Sequence, residues 1–141
     1  MIPDAETLTH DGAVCGRHGR TLVIACGALA REIIAIRDLN TWSHLDLVCL
    51  PAILHNYPER IPQAVQDALL RHREAYEAVF VAYGDCGTGG RLAATCEALG
   101  VEMIEGAHCY AFFEGVATRW FQRLENMVLR VFGLRGERVV G

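Results

Sequence analysis

Short apolar runs alternate with segments that have the period of an amphipathic helix, and this alternation constrains the fold more than any other feature. The apolar runs lie at residues 21–26, 44–50, 78–83 and 101–106. The helical patterns lie at residues 28–39, from about Pro62 onwards, at 90–99 and at roughly 116–132. Strands that alternate with helices indicate βαβ units, and continuous apolar strands are typical of a parallel sheet.

The sequence therefore predicts one α/β domain, in which a four-stranded parallel sheet carries helices on both faces, like half of a Rossmann fold. We assign residues 1–20 to an N-terminal arm and residues 21–141 to the domain that holds the candidate site. A chain of 141 residues is long enough for one core of this kind.

The net charge of the chain and the lengths of its apolar runs limit the classes of molecule that it is expected to bind. The net charge is −4 and the basic residues are scattered, which argues against a nucleic-acid surface. No apolar run approaches the roughly 18 to 20 residues that span a bilayer, and the polar start does not resemble a secretory signal. We expect a cytoplasmic protein without membrane contact. In that reducing compartment its six cysteines are expected to be thiols, and several thiols are typical of metal-binding or catalytic sites.

Potential metal ligands follow all four predicted strands. Right-handed crossovers bring the carboxyl ends of parallel strands to one edge of the sheet, where open α/β sheets bind their ligands. Cys26 ends the first strand, His55 follows the second, Cys86 follows the third, and His108 and Cys109 follow the fourth. The sequence therefore predicts a metal centre at this edge, with these five residues as its candidate ligands.

Thiolates favour zinc, copper(I) or iron–sulfur clusters. Three cysteines would leave a [4Fe–4S] cluster with one open iron, whereas three cysteines and one histidine would complete a tetrahedral zinc site. We favour the cluster narrowly over zinc. The glycines of the loop "YGDCGTGG" allow the backbone to approach a ligand closely. Six residues are expected to contact the bound group or a small-molecule ligand: Gly84, Gly87, Thr88, Gly89, Tyr110 and Asn56.

Two other functions remain open. In a metal-free enzyme, Cys86 would be the nucleophile, His55 or His108 the base, and loop N–H groups the oxyanion hole. Asp85 is expected to be an N-cap or turn residue, or alternatively a hydrogen-bond acceptor behind the site or a base. Alternatively, the chain is a non-catalytic subunit of a complex, because the final helical segment is apolar enough to cover the sheet or to form a dimer.

Other features have simpler interpretations. Cys49 and Cys96 are expected to be buried as small apolar side chains, and Cys15 to have no role in the site. The glycine loop lies where a nucleotide loop would lie, between a strand and a helix. It lacks the lysine of a P-loop and the G-x-G-x-x-G register, so nucleotide binding is disfavoured.

Four motifs occur in order: "CGAL", "LHNYPERIPQAV", "YGDCGTGG" and "GAHCYAFFEG". Together they resemble an uncharacterised bacterial and archaeal family, known as a domain of unknown function, whose members often have "YGLCGNG" and "HDC" at these places. The resemblance implies that Cys26, Cys86 and Cys109 are signature cysteines and that His55 is the loop histidine. Some members are associated with methylamine and corrinoid methyl-transfer systems. The resemblance therefore implies a role in redox or methyl-transfer metabolism beside a partner protein, either as the metal-binding protein or as a non-catalytic subunit of such a complex. A homo-oligomer is also expected, since a second subunit could complete the pocket of a short chain.

Overall fold

The structure, a computed structural model, describes residues 3–16 and 20–103. These residues form a sheet with helices packed against it. The strands are β1 (Ala13–Cys15), β2 (Thr21–Cys26), β3 (Leu45–Leu50), β4 (Ala78–Ala82) and β5 (Glu102–Met103). The helices are α1 (Ala5–His10), α2 (Ala30–Leu39), α3 (Ile61–His72) and α4 (Arg91–Leu99). Short 3-10 turns lie at Gly27–Leu29, Ala52–Asn56, Pro58–Arg60 and Arg73–Ala75.

The sheet is mixed and has five strands, in the order β1-β3-β2-β4-β5. Strands β2, β3, β4 and β5 run parallel to one another, as the alternation of elements predicts. The prediction of a purely parallel, four-stranded sheet is wrong, because β1 pairs antiparallel with β3 at one edge. Residues assigned to the N-terminal arm therefore contribute a strand to the sheet.

The added strand is inconspicuous in the sequence because it has three residues, which is too short for a periodic pattern. Glycines bound it on both sides and allow it to approach β3. Gly12 has a φ of +77°, and a Cβ built there would lie 2.3 Å from the carbonyl oxygen of Cys49. A side chain at position 12 would therefore clash with β3 and would also strain the backbone.

Both faces of the sheet are covered. Every residue of β2 is buried, and successive side chains of a strand point to opposite faces. Leu22 and Ile24 pack in a cluster with residues of helix α3, whereas Val23 and Ala25 belong to the cluster that includes helix α2. Apolar side chains on both sides of one strand explain why its sequence is apolar without alternation.

The helix boundaries agree with the local signals to within a few residues. Pro62 lies in the first turn of α3, where its missing N–H is not needed. Gly100 follows α4 with a φ of +70°, which is the left-handed C-terminal cap expected of glycine. None of the helices in the described ranges is long and apolar enough to cross a membrane.

The carboxyl ends of three parallel strands meet at one edge. Cys26 pairs with Leu50 at the ends of β2 and β3, and Ala25 pairs with Ala82 at the ends of β2 and β4. The loops that follow these strands therefore begin side by side, and they carry the candidate ligands.

Candidate functional site

Cys26 is the last residue of β2 and is fully buried. Its sulfur caps the 3-10 turn that follows, because the Ala28 N–H donates to Sγ at 3.4 Å. A free N–H at the start of a helical turn stabilises negative charge on a thiol. The strand end and the turn together fix the Cys26 sulfur at the edge of the sheet.

His55 lies on the 3-10 turn Ala52–Asn56, directly after β3. Its Nδ1 is 3.4 Å from the sulfur of Cys26 and 3.2 Å from the carbonyl oxygen of Ala52. A carbonyl oxygen can only accept, so the contact with Ala52 requires a proton on Nδ1. In that tautomer Nδ1–H donates to both the Ala52 oxygen and the Cys26 sulfur.

Cys86 approaches the same imidazole from the glycine loop. Hydrogen bonds to Cys26 and Cys86 raise the pKa of His55 to about 10, against the opposing effect of partial burial. Two thiols from loops far apart in the chain therefore contact one histidine ring. A cationic imidazole beside two sulfurs favours their thiolate forms, which are the nucleophilic and metal-binding forms.

The backbone at Cys86 is in the left-handed region, with a φ of +52°. A non-glycine residue rarely adopts this conformation, and such residues concentrate at functional sites. The residue is buried, with 7% of its surface exposed. The loop therefore holds the Cys86 sulfur inward in a conformation that glycine would adopt with less strain.

Asp85 organises the loop around Cys86. Its carboxylate accepts from the Thr88 hydroxyl at 2.9 Å and from the N–H groups of Gly90 and Gly89 at 2.8 and 3.2 Å. Hydrogen bonds from Gly90, Thr88, Gly89 and Gly87 lower the pKa of Asp85. A carboxylate with a lowered pKa and several donors is a weak base, and its contacts are those of a residue that shapes a turn.

The histidine loop and the glycine loop also touch each other. A Cβ built at Gly87 would lie 3.4 Å from the side chain of Pro58. Next to Pro58, the guanidinium of Arg60 stacks on the ring of Tyr57 at 4.7 Å from its centroid. The rim of the site therefore carries an exposed aromatic ring and a cation, neither of which the sequence analysis had selected.

The other predicted site residues take different places. Asn56 is exposed beside His55, Gly84 and Thr88 are buried in the glycine loop, and Gly89 is exposed there. The predictions for His108, Cys109 and Tyr110 lie outside the described residues.

Three further cysteines lie away from the imidazole. Cys15, Cys49 and Cys96 are buried free thiols. Burial raises the pKa of Cys96 to about 11, and burial together with nearby Cys15 and Cys26 raises the pKa of Cys49 to about 12. Thiols with such values stay protonated at neutral pH, so both behave as the buried apolar residues that the sequence predicts.

Sequence reasoning missed the carbonyl of Ala52, which orients His55. The three-residue spacing from Ala52 to His55 after Pro51 could have indicated this contact, because a 3-10 turn brings residues i and i+3 together. The left-handed backbone of Cys86 had no local signal, because its neighbours Gly84 and Gly87 fit many loop conformations.

The described residues supply a partial set of metal ligands. Within residues 3–16 and 20–103, no group of three or more His, Cys, Asp and Glu side chains is arranged to hold a metal ion. Cys26, His55 and Cys86 nevertheless converge through the shared imidazole. A complete metal site would need a further donor, for which Cys109 and His108 are the candidates.

Comparison with known proteins identifies the family. No curated protein and no solved structure matches the chain. The profile of a family described as "Protein of unknown function (DUF1638)" matches residues 49–132, which is more than half of the 141 residues. The matched range contains His55 and Cys86 and begins after Cys26. The chain therefore belongs to the DUF1638 family.

Proposed function

We propose that this protein binds a thiophilic metal centre through Cys26, Cys86 and His55, with Cys109 as a further ligand. The observation that carries the proposal is the contact of two thiols with one imidazole at the carboxyl edge of the sheet. Every candidate ligand within the described residues lies in this one cluster. The sequence analysis selected these ligands only because each follows a strand. That criterion alone would allow them to lie far apart along the edge of the sheet.

The separation of sulfur and nitrogen fits two ligands of one ion. Zinc bonds of about 2.3 Å to sulfur and about 2.0 Å to nitrogen, at a tetrahedral angle, place these atoms about 3.6 Å apart. The distance from Cys26 Sγ to His55 Nδ1 is 3.4 Å, so the two atoms are placed to bind one ion once Nδ1 gives up the proton that it donates to the Ala52 oxygen and the Cys26 sulfur. The donor set, two or three thiolates and an imidazole, is also the soft set that zinc and iron–sulfur clusters prefer.

We favour a [4Fe–4S] cluster narrowly over zinc. Three cysteine ligands from three loops would leave one iron open to a small-molecule ligand or to electron transfer with a partner protein. The fully buried Cys26 and the nearly buried Cys86 would keep water away from the bound group. The family resemblance supports a place in redox or methyl-transfer metabolism. We also expect the protein to be cytoplasmic and to form a homo-oligomer.

The experiment is anaerobic purification followed by metal and sulfide analysis and a visible spectrum. We expect either a brown protein with four irons or a colourless one with one zinc per chain. Alanine substitutions of Cys26, Cys86 and Cys109 are expected to lower metal affinity at least about tenfold, in line with losses seen around metal ligands. The control is Cys96→Ala, which removes a buried thiol from helix α4 and is expected to leave binding unchanged.

Two results would contradict the metal proposal. One is a reduced wild-type protein that binds neither reconstituted iron and sulfide nor added zinc. The other is a loss of affinity in Cys96→Ala as large as that in the three variants of the predicted ligands.

A second candidate function is cysteine chemistry without a metal. It is favoured by the N–H of His55 Nδ1, which donates to the Ala52 oxygen and holds the ring beside the Cys26 sulfur, as in a pair in which the imidazole has already taken the proton of a thiol. The glycine loop argues against this function, because the N–H groups of Gly89 and Gly90 donate to Asp85 and are not directed towards an oxyanion.

Pulse alkylation distinguishes the cysteine enzyme from the metal-binding protein. One fast thiol that chelators do not affect favours the enzyme, and several thiols exposed only by chelators favour the metal site.

A further inference from the structure

We propose that Cys26 and Cys86 also form a redox-active dithiol, which reduces small disulfides and becomes an intramolecular disulfide. Both sulfurs contact the imidazole of His55, so one ring brings together two cysteines that belong to different loops. Both are in the reduced thiol form. The inference concerns the same site but does not depend on metal binding, because it uses the metal-free, reduced protein.

Exposure assigns different roles to the two thiols. Cys86 retains 7% of its surface and Cys26 has none. A disulfide in solution can therefore reach Cys86 first, and Cys26 is reached only by a sulfur already bound inside the site. A slightly exposed attacking thiol beside a fully buried second thiol fits a two-step thiol–disulfide exchange, because access determines which sulfur reacts first.

The loop around Cys86 can adjust to form the bond. A disulfide requires an S–S distance of about 2.0 Å and Cβ atoms about 3.5–4.5 Å apart. Gly84 and Gly87 flank Cys86, and glycine permits backbone rotations that other residues resist. Cys26 stays fixed at the end of β2, so the movement belongs to the glycine loop.

Hydrogen-bond donors already face the sulfur that must act second. The Ala28 N–H and the His55 Nδ1 both lie 3.4 Å from Cys26 Sγ. Donors directed at a sulfur stabilise it as an attacking thiolate and, in the reverse reaction, as a leaving group. The same pair of donors therefore supports both directions of the exchange.

The reaction proceeds in two exchanges. The Cys86 thiolate attacks one sulfur of a small disulfide RS–SR, the S–S bond breaks, and RS⁻ leaves, which gives a mixed disulfide at Cys86. The Cys26 thiolate then attacks the Cys86 sulfur, and the second RS⁻ leaves. Two electrons pass from the protein to RS–SR, and the two thiol protons end on the two released RSH molecules. The oxidised protein has lost two metal ligands, so disulfide formation and metal binding exclude each other.

The test uses full-length, metal-free, reduced protein and glutathione disulfide as the probe. We expect two glutathiones released per chain, and peptide mapping by mass spectrometry to identify a Cys26–Cys86 disulfide. In Cys26→Ala the reaction should stop at glutathione bound to Cys86. In Cys86→Ala the rate of oxidation should fall at least about tenfold, whereas Cys96→Ala should behave as the wild type does.

The wild-type map decides the outcome even if a variant fails to fold. A disulfide that joins Cys86 to Cys109, or Cys26 to Cys49, would overturn the inference, as would oxidation that occurs only after unfolding. Metal affinity is measured separately under reducing conditions with iron and sulfide or zinc. Failure of the metal proposal therefore leaves the disulfide map unchanged, and failure of the disulfide inference leaves the metal affinity unchanged.

Discussion

At position 86 the backbone favours glycine, and the chain has a cysteine there. The φ of +52° at Cys86 belongs to the left-handed region, in which a Cβ destabilises the backbone by about 1–2 kcal/mol per residue. The neighbouring carboxylate of Asp85 and its loop hydrogen bonds hold this conformation in place. An observed strained residue in a buried cluster is a reason to infer a function for its side chain.

Because the backbone at Cys86 is strained, we expect the usual order of stability of alanine and glycine variants to be reversed at this position. Both Cys86→Gly and Cys86→Ala remove the thiol, but only glycine removes the Cβ as well. We expect Cys86→Gly to be more stable than Cys86→Ala by about 1 kcal/mol, measured as the free energy of unfolding in urea. At an ordinary position glycine is the less stable of the two. Equal stabilities, or a more stable alanine variant, would show that the backbone at position 86 is not strained.

A second residue-scale prediction concerns the buried carboxylate of Asp46 on strand β3. Asp46 is 1% exposed and accepts a hydrogen bond from the Tyr76 hydroxyl at 2.7 Å. Tyr76→Phe removes that donor and should lower the free energy of unfolding at pH 7 by about 1–3 kcal/mol. Tyr57→Phe, which changes an exposed ring, is the matched control and should have little effect.

The effect of Tyr76→Phe should depend on pH. Burial, and then the hydrogen bond and charge of Asp46, raise the pKa of Tyr76 to about 12. The folded-state pKa thus lies above the value of about 10 in unfolded chains. The resulting stabilisation is complete below pH 10 and is lost as the pH rises towards 12. The difference between wild type and Tyr76→Phe should therefore shrink between pH 9 and 11.5, and a constant difference would contradict the assignment.

At the scale of elements, helix α1 supports the turn that carries Cys26. A Cβ built at Gly27 would lie 2.2 Å from the carbonyl oxygen of Leu8 and 3.1 Å from that of Leu50. Both neighbours are backbone atoms, so a side chain at position 27 would displace α1 or the end of β3. Helix α1, which the sequence analysis assigned to an N-terminal arm, therefore helps to determine the position of the candidate ligand Cys26.

Gly27→Ala should consequently disturb both stability and the site. We expect a loss of about 1–3 kcal/mol from overpacking, with a parallel drop in metal affinity. Gly89→Ala is the contrasting variant, because a Cβ there meets no atom within 4 Å and only the backbone, at a φ of +63°, is strained. If Gly27→Ala unfolds at the same urea concentration as the wild type, α1 does not pack as described.

The sequence analysis did not predict strand β1, because the strand is short and pairs with a distant segment. Its three residues have no measurable period, and "AVC" between two glycines is compatible with a loop. Its pairing with β3 is a contact between segments more than thirty residues apart, from Ala13↔Cys49 to Cys15↔Leu47. Local patterns do not report such a contact, whereas β2 and β3 are long and apolar enough to be found alone.

For the whole molecule, the N-terminal segment covers the edge of the long strand β3 and leaves the three-residue strand β1 as the edge on that side of the described sheet. An unpaired strand edge is a template for association with other chains. Deleting residues 1–16 removes β1 together with α1, so we expect a lower free energy of unfolding and association that grows with concentration. Light scattering after gel filtration would measure this. Deleting residues 1–3, which precede the α1 cap at Asp4, should leave both properties unchanged. A longer deletion that keeps the original size and stability would contradict the role of β1.

The sequence by itself determined the parallel part of the sheet and the edge at which Cys26, His55 and Cys86 gather. Those features follow from the periods of strands and helices and from the chirality of crossovers, both of which act through local chain geometry. The tertiary structure alone decided the rest. It placed His55 between two thiols, turned the Asp85 carboxylate towards its own loop and added β1 to the sheet. Each of these results depends on which backbone and side-chain groups meet after folding.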